Sequence, residues 1–201
     1  MFTLYLVVPC YNEEAVLPET AKRLRGILGD LINREQVTEE SRILFVNDGS
    51  KDRTWEIIKK LHDFDAHFAG LCLSRNRGHQ NALLAGLMLA RDHADAAISL
   101  DADLQDDPEA IAAMWTHFRD HGVDVVYGVR DNRSSDTWFK RTSAQAFYRL
   151  MGRLGVRTVY NHADFRLLSR RAVKALLRYR ERNLFLRGMV PLVGYRSATV
   201  T

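Results

Sequence analysis

Asp101-Ala102-Asp103 places two carboxylates two residues apart, directly behind the apolar run Ala96-Ala97-Ile98-Ser99-Leu100. If that run is a buried strand, both acids leave its C-terminal end, and the period of two points them the same way. Like charges held so close repel each other unless a cation lies between them. Hard oxygen ligands suit Mg²⁺ or Mn²⁺, so the spacing predicts a divalent metal that carries a phosphorylated substrate. Asp-x-Asp is common by chance, and a solvated turn after a strand is the plain alternative. The place of the pair in the chain is what separates the two readings.

The elements that must position it read as alternating strand and helix. Leu4 to Val8 is a buried strand closed by Pro9, and Asn12 caps a helix with Glu13 and Glu14 in its first turn and Leu17, Leu24, Ile27 and Leu28 inside. Ile43 to Val46 is a second strand, followed by the turn Asn47-Asp48-Gly49-Ser50 with Ser50 as the next cap. Leu71 to Leu73 is a third, followed by a polar loop and a helix from about His79 to Arg91. The strand before Asp101 is the fourth, Asp107-Pro108 starts a helix, and Val123 to Tyr127 is a fifth strand. This order predicts an α/β fold: a Rossmann-like, mostly parallel sheet with helices on both faces. Ligands of such sheets bind beyond the strand C-termini. The polar clusters at Tyr11-Asn12-Glu13, Asn47-Asp48-Gly49, Arg75-Asn76 and Asp101-Ala102-Asp103 all fall there.

The chain has 201 residues and a net charge of +4, enough for one well-buried domain and a mild basic excess that suits anionic ligands without singling out nucleic acid. Between Arg130 and Arg187, fifteen Arg or Lys stand against four Asp or Glu. Cys10 and Cys72 sit in strand-like runs with no metal or redox spacing, and read as buried small hydrophobes in a reducing compartment. Neither a secretory signal nor an apolar run of bilayer length is visible. Tyr195 to Thr201 reads as the beginning of a strand with nothing after it to pair or cover it, so the chain is expected to be a piece of a longer protein.

Neither Gly-x-Gly-x-x-Gly after the first strand nor a P-loop is present, which leaves dinucleotide binding and P-loop chemistry unsupported. The runs Val8-Pro9-Cys10-Tyr11-Asn12-Glu13-Glu14, Val46-Asn47-Asp48-Gly49-Ser50-Lys51-Asp52 and Asp101-Ala102-Asp103-Leu104-Gln105 resemble the family 2 glycosyltransferases of the GT-A fold. The likeness is strongest to the polyprenyl-phosphate branch, which includes dolichyl-phosphate mannose synthases and bacterial undecaprenyl-phosphate glycosyltransferases. Leu73 to Gly78, Gly128-Val129-Arg130, Asp164 to Leu168 and Phe185 to Gly188 extend it over nearly the whole chain.

The resemblance implies a role for each matching residue. Pro9, Tyr11, Glu13 and Asp48 would hold the base and ribose of a nucleotide-diphosphate sugar, with Asn12, Asn76 and Ala102 in the same donor site. Asp101 and Asp103, with Gln105, would coordinate the Mg²⁺ or Mn²⁺ that bridges the diphosphate. Arg130 and Arg166 would contact phosphates, and Arg187 would meet the acceptor phosphate. Asp164 matches the usual catalytic base, with Arg166 and Asp103 beside it in the catalytic set. A phosphate monoester acceptor, whose second pKa is about 6, needs little deprotonation, so Asp164 is free to orient Arg166, bind a sugar hydroxyl or touch the metal. Where many relatives carry Asp-x-Gly before the Asp-Phe-Arg run, this chain has Asn161-His162-Ala163, which bears on sugar preference.

The expected reaction is inverting transfer from UDP-glucose or UDP-N-acetylglucosamine to a polyprenyl (undecaprenyl) phosphate at the cytoplasmic face of the cell membrane. Two alternatives stay open: a soluble family 2 enzyme extending a cell-surface polysaccharide, and a non-catalytic nucleotide-sugar-binding module. Residues 1–130 would form the nucleotide-sugar part of one domain and 131–201 the acceptor side, with a membrane region following. The amphipathic stretch from Thr137 to Leu154 fits a membrane surface or packing on the sheet, and the resemblance, which places acceptor contacts there, favours the membrane. A homo-oligomer stays open as well, and nucleic acid is not an expected partner. Plainer roles compete elsewhere. Asp106, Asp107 and Glu109 read as helix capping, Asp48 as turn chemistry, Glu13 as a helix N-terminal acid, and His79 and His162 as ordinary polar or core residues.

Overall fold

The apolar runs of the N-terminal half line up as neighbouring strands of one sheet. The computed structural model describes residues 1–129, 162–179 and 185–201, so Arg130, Asn161 and the 137–154 stretch lie outside the described residues. In chain order the elements are β1 (Leu4–Cys10), α1 (Leu17–Asn33), β2 (Arg42–Asn47), α2 (Thr54–Phe64), β3 (Phe68–Cys72), α3 (His79–His93) and β4 (Ala96–Ser99). After these come α4 (Ala110–His121), β5 (Val125–Val129), β6 (His162–Ser169), α5 (Arg170–Leu176), α6 (Leu186–Leu192) and β7 (Ser197–Val200). The sheet order is β3-β2-β1-β4-β6-β5-β7. All pairings are parallel except those of β6, which runs antiparallel to both β4 and β5.

Strand periodicity divides the core in two. Leu6, Val8, Ile43, Phe45, Ile98 and Leu167 pack on α1, α2 and α4 through Leu24, Leu28, Ile58, Ile111 and Trp115. On the opposite face Val7, Leu44, Val46, Ala97, Tyr127 and Leu168 pack on α3, α5 and α6. Successive side chains of a strand point to opposite faces, so a central strand flanked by helices must be apolar at nearly every position. Helix α3 lies unusually close to the sheet: a Cβ on Gly86 would sit 2.4 Å from Val7 Cγ1, so only glycine allows this approach.

The predicted sheet with helices on both faces is the observed one, with local corrections. Strand β1 continues through Pro9 and Cys10 along β2, while its pairing to β4 stops at Val7 and Ser99. The proline therefore falls where β1 has a neighbour on one side only. Asn12 caps no helix. It takes a left-handed φ of 57°, and α1 begins only at Leu17, with Pro18 in its first turn. Leu17, Leu24 and Leu28 are fully buried as expected. Ser50 does not cap α2 either; Asp52, just ahead of the helix, accepts the Thr54 N–H on its Oδ1 at 3.0 Å. Asp107 accepts the Glu109 N–H at 3.1 Å in a turn that precedes α4.

Two further expectations change, and one element is added. Cys72 is exposed, because β3 is an edge strand whose burial alternates; Cys10 is buried as expected. The C-terminal run does find a partner, since β7 pairs with β5 from Val125–Ser197 to Gly128–Val200. Finally, the Asp164 to Leu168 run is itself a strand, inserted backwards between β4 and β5.

Candidate active site

The C-terminal ends of β1, β2 and β4 and the N-terminal end of β6 share one rim, because β6 alone is reversed. A cleft of about 410 Å³ opens there. Pro9, Tyr11, Glu13, Asp48, Asn76, Asp101, Ala102, Asp103 and Asp164 line it, together with Cys10, Gly78, His79 and Ala82. Of the sequence-predicted donor residues, only Asn12 stands aside, and Arg130 lies outside the described residues. Gln105, Arg166 and Arg187 are also not on the cleft wall.

Loop-to-loop hydrogen bonds hold the donor side. Asp48 is buried, and its two oxygens accept the backbone N–H groups of Arg77 at 2.7 Å and Gly78 at 2.8 Å. Its carboxylate thus ties the turn after β2 to the entry of α3 while keeping an edge toward the cleft. Gly49 is required beside it. Its φ is +66°, and a Cβ there would lie 2.5 Å from the Arg75 carbonyl carbon. Asn12 docks the first loop on the second: its N–H donates to Ser50 Oγ at 3.0 Å, and its Oδ1 accepts the Lys51 N–H at 2.9 Å. The Glu13 N–H donates to Thr54 Oγ1 at 2.9 Å, which fixes the backbone from which the Glu13 carboxylate reaches the cleft.

The acids of the rim perturb one another. Burial pushes the Asp101 pKa up; His79 opposes this, and Asp164, Asp103 and Asp106 add to it. Burial also raises the Glu13 pKa, with Asp103, Asp52 and Asp101 contributing. Carboxylates that burial, and then neighbouring acids, keep from ionising form a site that gains from a cation. Asp101 and Asp103 offer hard oxygens, and this donor set fits Mg²⁺ or Mn²⁺. Among the described residues no group of three or more His, Cys, Asp or Glu stands close enough to make a protein-only cage. Magnesium sites built on one or two carboxylates and substrate phosphates need no such cage. Gln105 is exposed and donates its amide to Asp103 Oδ2 at 2.7 Å. Its nearest tie is therefore to a predicted ligand.

Across the cleft, Asp164 is a hub. Its carboxylate pairs with Arg166 Nη2, receives Gln80 Nε2 at 3.4 Å, and lies 3.6 Å from His79 Nε2 and 3.7 Å from Arg187 Nη2. Ser99 Oγ anchors its backbone carbonyl at 2.6 Å. Arg166 is 1% exposed, and its Nε and Nη1 have no hydrogen-bond partner among the described residues. Burial pushes its pKa down, Asp164 opposes that, and Arg187 adds to it. Arg166 therefore acts on the cleft through Asp164, while Arg187 has a side chain 39% exposed and is open to a ligand.

His79 is the residue whose part the sequence reading missed. Its Nε2 lies 3.6 Å from Asp101 Oδ1 and equally far from Asp164 Oδ2, so it stands between the two acid sets. Its position just after the third strand's polar loop is the signal in the sequence, since no metal-ligand spacing marks it.

Known proteins share this architecture. The model of the family described as glycosyl transferase family 2 matches residues 5–177. The uncharacterized glycosyltransferase YkoT of Bacillus subtilis is 51% identical over 197 residues, covering 98% of this chain and 58% of YkoT. The bactoprenol glucosyl transferase of Shigella phage SfV is 39% identical over 198 residues, covering 97% of this chain and 61% of the phage protein. The chain thus spans about three fifths of the length of these relatives. Among solved structures, glucosyl-3-phosphoglycerate synthase from Mycobacterium tuberculosis, in complex with Mn²⁺, UDP and phosphoglyceric acid, superposes with a TM-score of 0.64 at 16% identity. That match covers 99% of this chain and 68% of the synthase, and shows the GT-A fold. By family model and by relatives alike, the chain belongs to glycosyl transferase family 2.

Proposed function

We propose that the protein transfers a sugar, with metal assistance and inversion, from a uridine-diphosphate donor to a polyprenyl phosphate, with glucose or N-acetylglucosamine as the sugar. The observation that carries this reading is the meeting of two unlike charge sets on one rim. Glu13, Asp101 and Asp103 stand on the donor side, and the Asp164–Arg166 pair with Arg187 on the other. The bactoprenol name of the phage relative supports the lipid acceptor, and the UDP and Mn²⁺ of the synthase complex support the donor and metal classes.

In this reading Tyr11, Glu13 and the Asp48-ordered loop receive the nucleoside, and Asp101 and Asp103 hold the metal. The cation supplies Lewis-acid stabilisation of charge on the departing nucleoside diphosphate. An acceptor phosphate oxygen forms the new bond to the anomeric carbon as the bond to the diphosphate breaks on the opposite side. The acceptor arrives largely as a dianion, so Asp164 need not take a proton. Its work is to hold Arg166 and Arg187 in place, and Arg187 meets the acceptor phosphate. The membrane region and the cytoplasmic-face location belong to the same proposal. Among the described residues no helix is long and apolar enough to cross a membrane.

The test incubates the purified protein with Mn²⁺, undecaprenyl phosphate and UDP-glucose, UDP-N-acetylglucosamine or GDP-mannose, and follows the sugar into the organic phase. A UDP sugar should label the lipid, and a chelator should stop it. Labelling of a saccharide acceptor alone would favour the soluble polysaccharide enzyme. Donor binding with no turnover to any acceptor would leave a binding module.

A further inference from the structure

Gln80 is the second residue of α3, and its side-chain amide joins two segments far from it in sequence. Its Oε1 accepts the backbone N–H of Leu186 at 3.2 Å, while its Nε2 donates to Asp164 Oδ2 at 3.4 Å. The Leu186 nitrogen can only donate, so chemistry assigns the amide orientation. Leu186 opens α6, and the residue before it, Phe185, makes no side-chain cap bond. The first N–H groups of a helix have no partner within it. Gln80 fills that need from another helix. The next residue, Arg187, reaches the same Asp164 oxygen at 3.7 Å. One amide therefore registers the hub carboxylate against the start of the helix that carries the exposed cation.

We infer that Gln80 is a positioning residue of the transfer site: it sets Asp164 and α6 so that Arg187 faces the acceptor phosphate. The inference rests on the reading of the Asp164 side as the acceptor half. Gln80 does not line the donor cleft, whereas its neighbour His79 does. Losing the Gln80 amide should act on acceptor use and leave the nucleotide site intact. A purely structural residue would disturb both.

The experiment compares the wild type with Gln80→Met, which keeps length and removes both polar contacts, and with Gln80→Glu. The readouts are amide hydrogen exchange at Leu186, UDP binding in the presence of Mn²⁺, and KM for undecaprenyl phosphate. In Gln80→Met, Leu186 exchanges about fivefold faster, as for loss of one typical hydrogen bond. The acceptor KM rises by a similar factor, and UDP affinity stays at the wild-type value. Gln80→Glu keeps an acceptor for the Leu186 N–H but sets a second carboxylate against Asp164. Protection therefore returns while the acceptor KM stays high. Unchanged Leu186 exchange in Gln80→Met overturns the inference, as does a matched loss of UDP and acceptor binding. Should the wild type label no lipid phosphate, the proposed acceptor is wrong. Leu186 exchange then still decides by itself whether Gln80 holds α6.

Discussion

Asp164 and Arg166 stand on the same face of β6, two residues apart, and the carboxylate of the first holds the guanidinium of the second. The arginine is sealed from solvent, so the acid is what makes its burial tolerable. A buried ion pair costs most when one member is removed and the other left behind. Asp164→Ala should thus lower stability by about 3 kcal/mol in urea denaturation. The double variant Asp164→Asn, Arg166→Met should lose less than Asp164→Ala, since it leaves no orphaned buried charge. A double variant at least as unstable as Asp164→Ala would show that the pair is not what the site depends on.

The paired acids on the donor side predict a metal-dependent ligand response. UDP with Mn²⁺ should raise the melting temperature of the wild type, because a ligand that binds the native state stabilises it. Asp101→Asn and Asp103→Asn should each abolish the Mn²⁺-dependent part of that shift. Each should also slow transfer by about a hundredfold or more, as for loss of electrostatic transition-state stabilisation. An unaltered Mn²⁺ response in both variants would remove these residues from the metal site.

The loop after β2 is held by Asp48 and made passable by Gly49. Asp48→Asn replaces one acceptor with a donor that faces the Arg77 or Gly78 N–H, and should cost about 1–3 kcal/mol. Gly49→Ala forces a Cβ to 2.5 Å from the Arg75 backbone at a left-handed φ, and should cost about 2 kcal/mol. Both should weaken UDP binding, because the loop after β2 packs on the loop after β3, and the latter carries Asn76 into the cleft. Chemical denaturation and UDP titration separate the two effects.

Asp65, remote from the cleft, sets part of the acid limit. Burial opposes its ionisation, but the His67 N–H at 2.9 Å and the side chains of Arg25 at 2.5 Å and His67 at 2.7 Å outweigh that. They hold the carboxyl well below the usual carboxylate range. A depressed folded-state pKa gives stability that is complete above the unfolded value of about 3.9. That stability is lost as pH falls through the folded value. Asp65→Asn should therefore be less stable than the wild type at neutral pH, and the gap should close in strong acid. Parallel stability curves from pH 7 to pH 2 would contradict this.

Much of the donor half was legible in the residues themselves. The runs ending at Cys10, Asn47 and Ser99 are buried on both faces, so their apolar continuity announced strands, and the polar residues after them had to gather at one end. Helix starts were less legible. Asn12, Ser50 and Asp107 are good capping residues by type, yet Asn12 and Ser50 bond to each other's loops and Asp107 closes a turn. Local preference marks a residue able to cap, while packing chooses what it bonds.

The strand–helix alternation, the apolar faces and the acids at the strand ends are local properties of the chain, because each follows from the pattern of a few neighbouring residues. That β6 enters the sheet reversed is a matter of long-range packing. That reversal brings Asp164 to Asp101 with His79 between them and lets Gln80 reach the start of α6. Such neighbours are selected by how whole elements bury one another, and no local spacing encodes which strand will lie beside which.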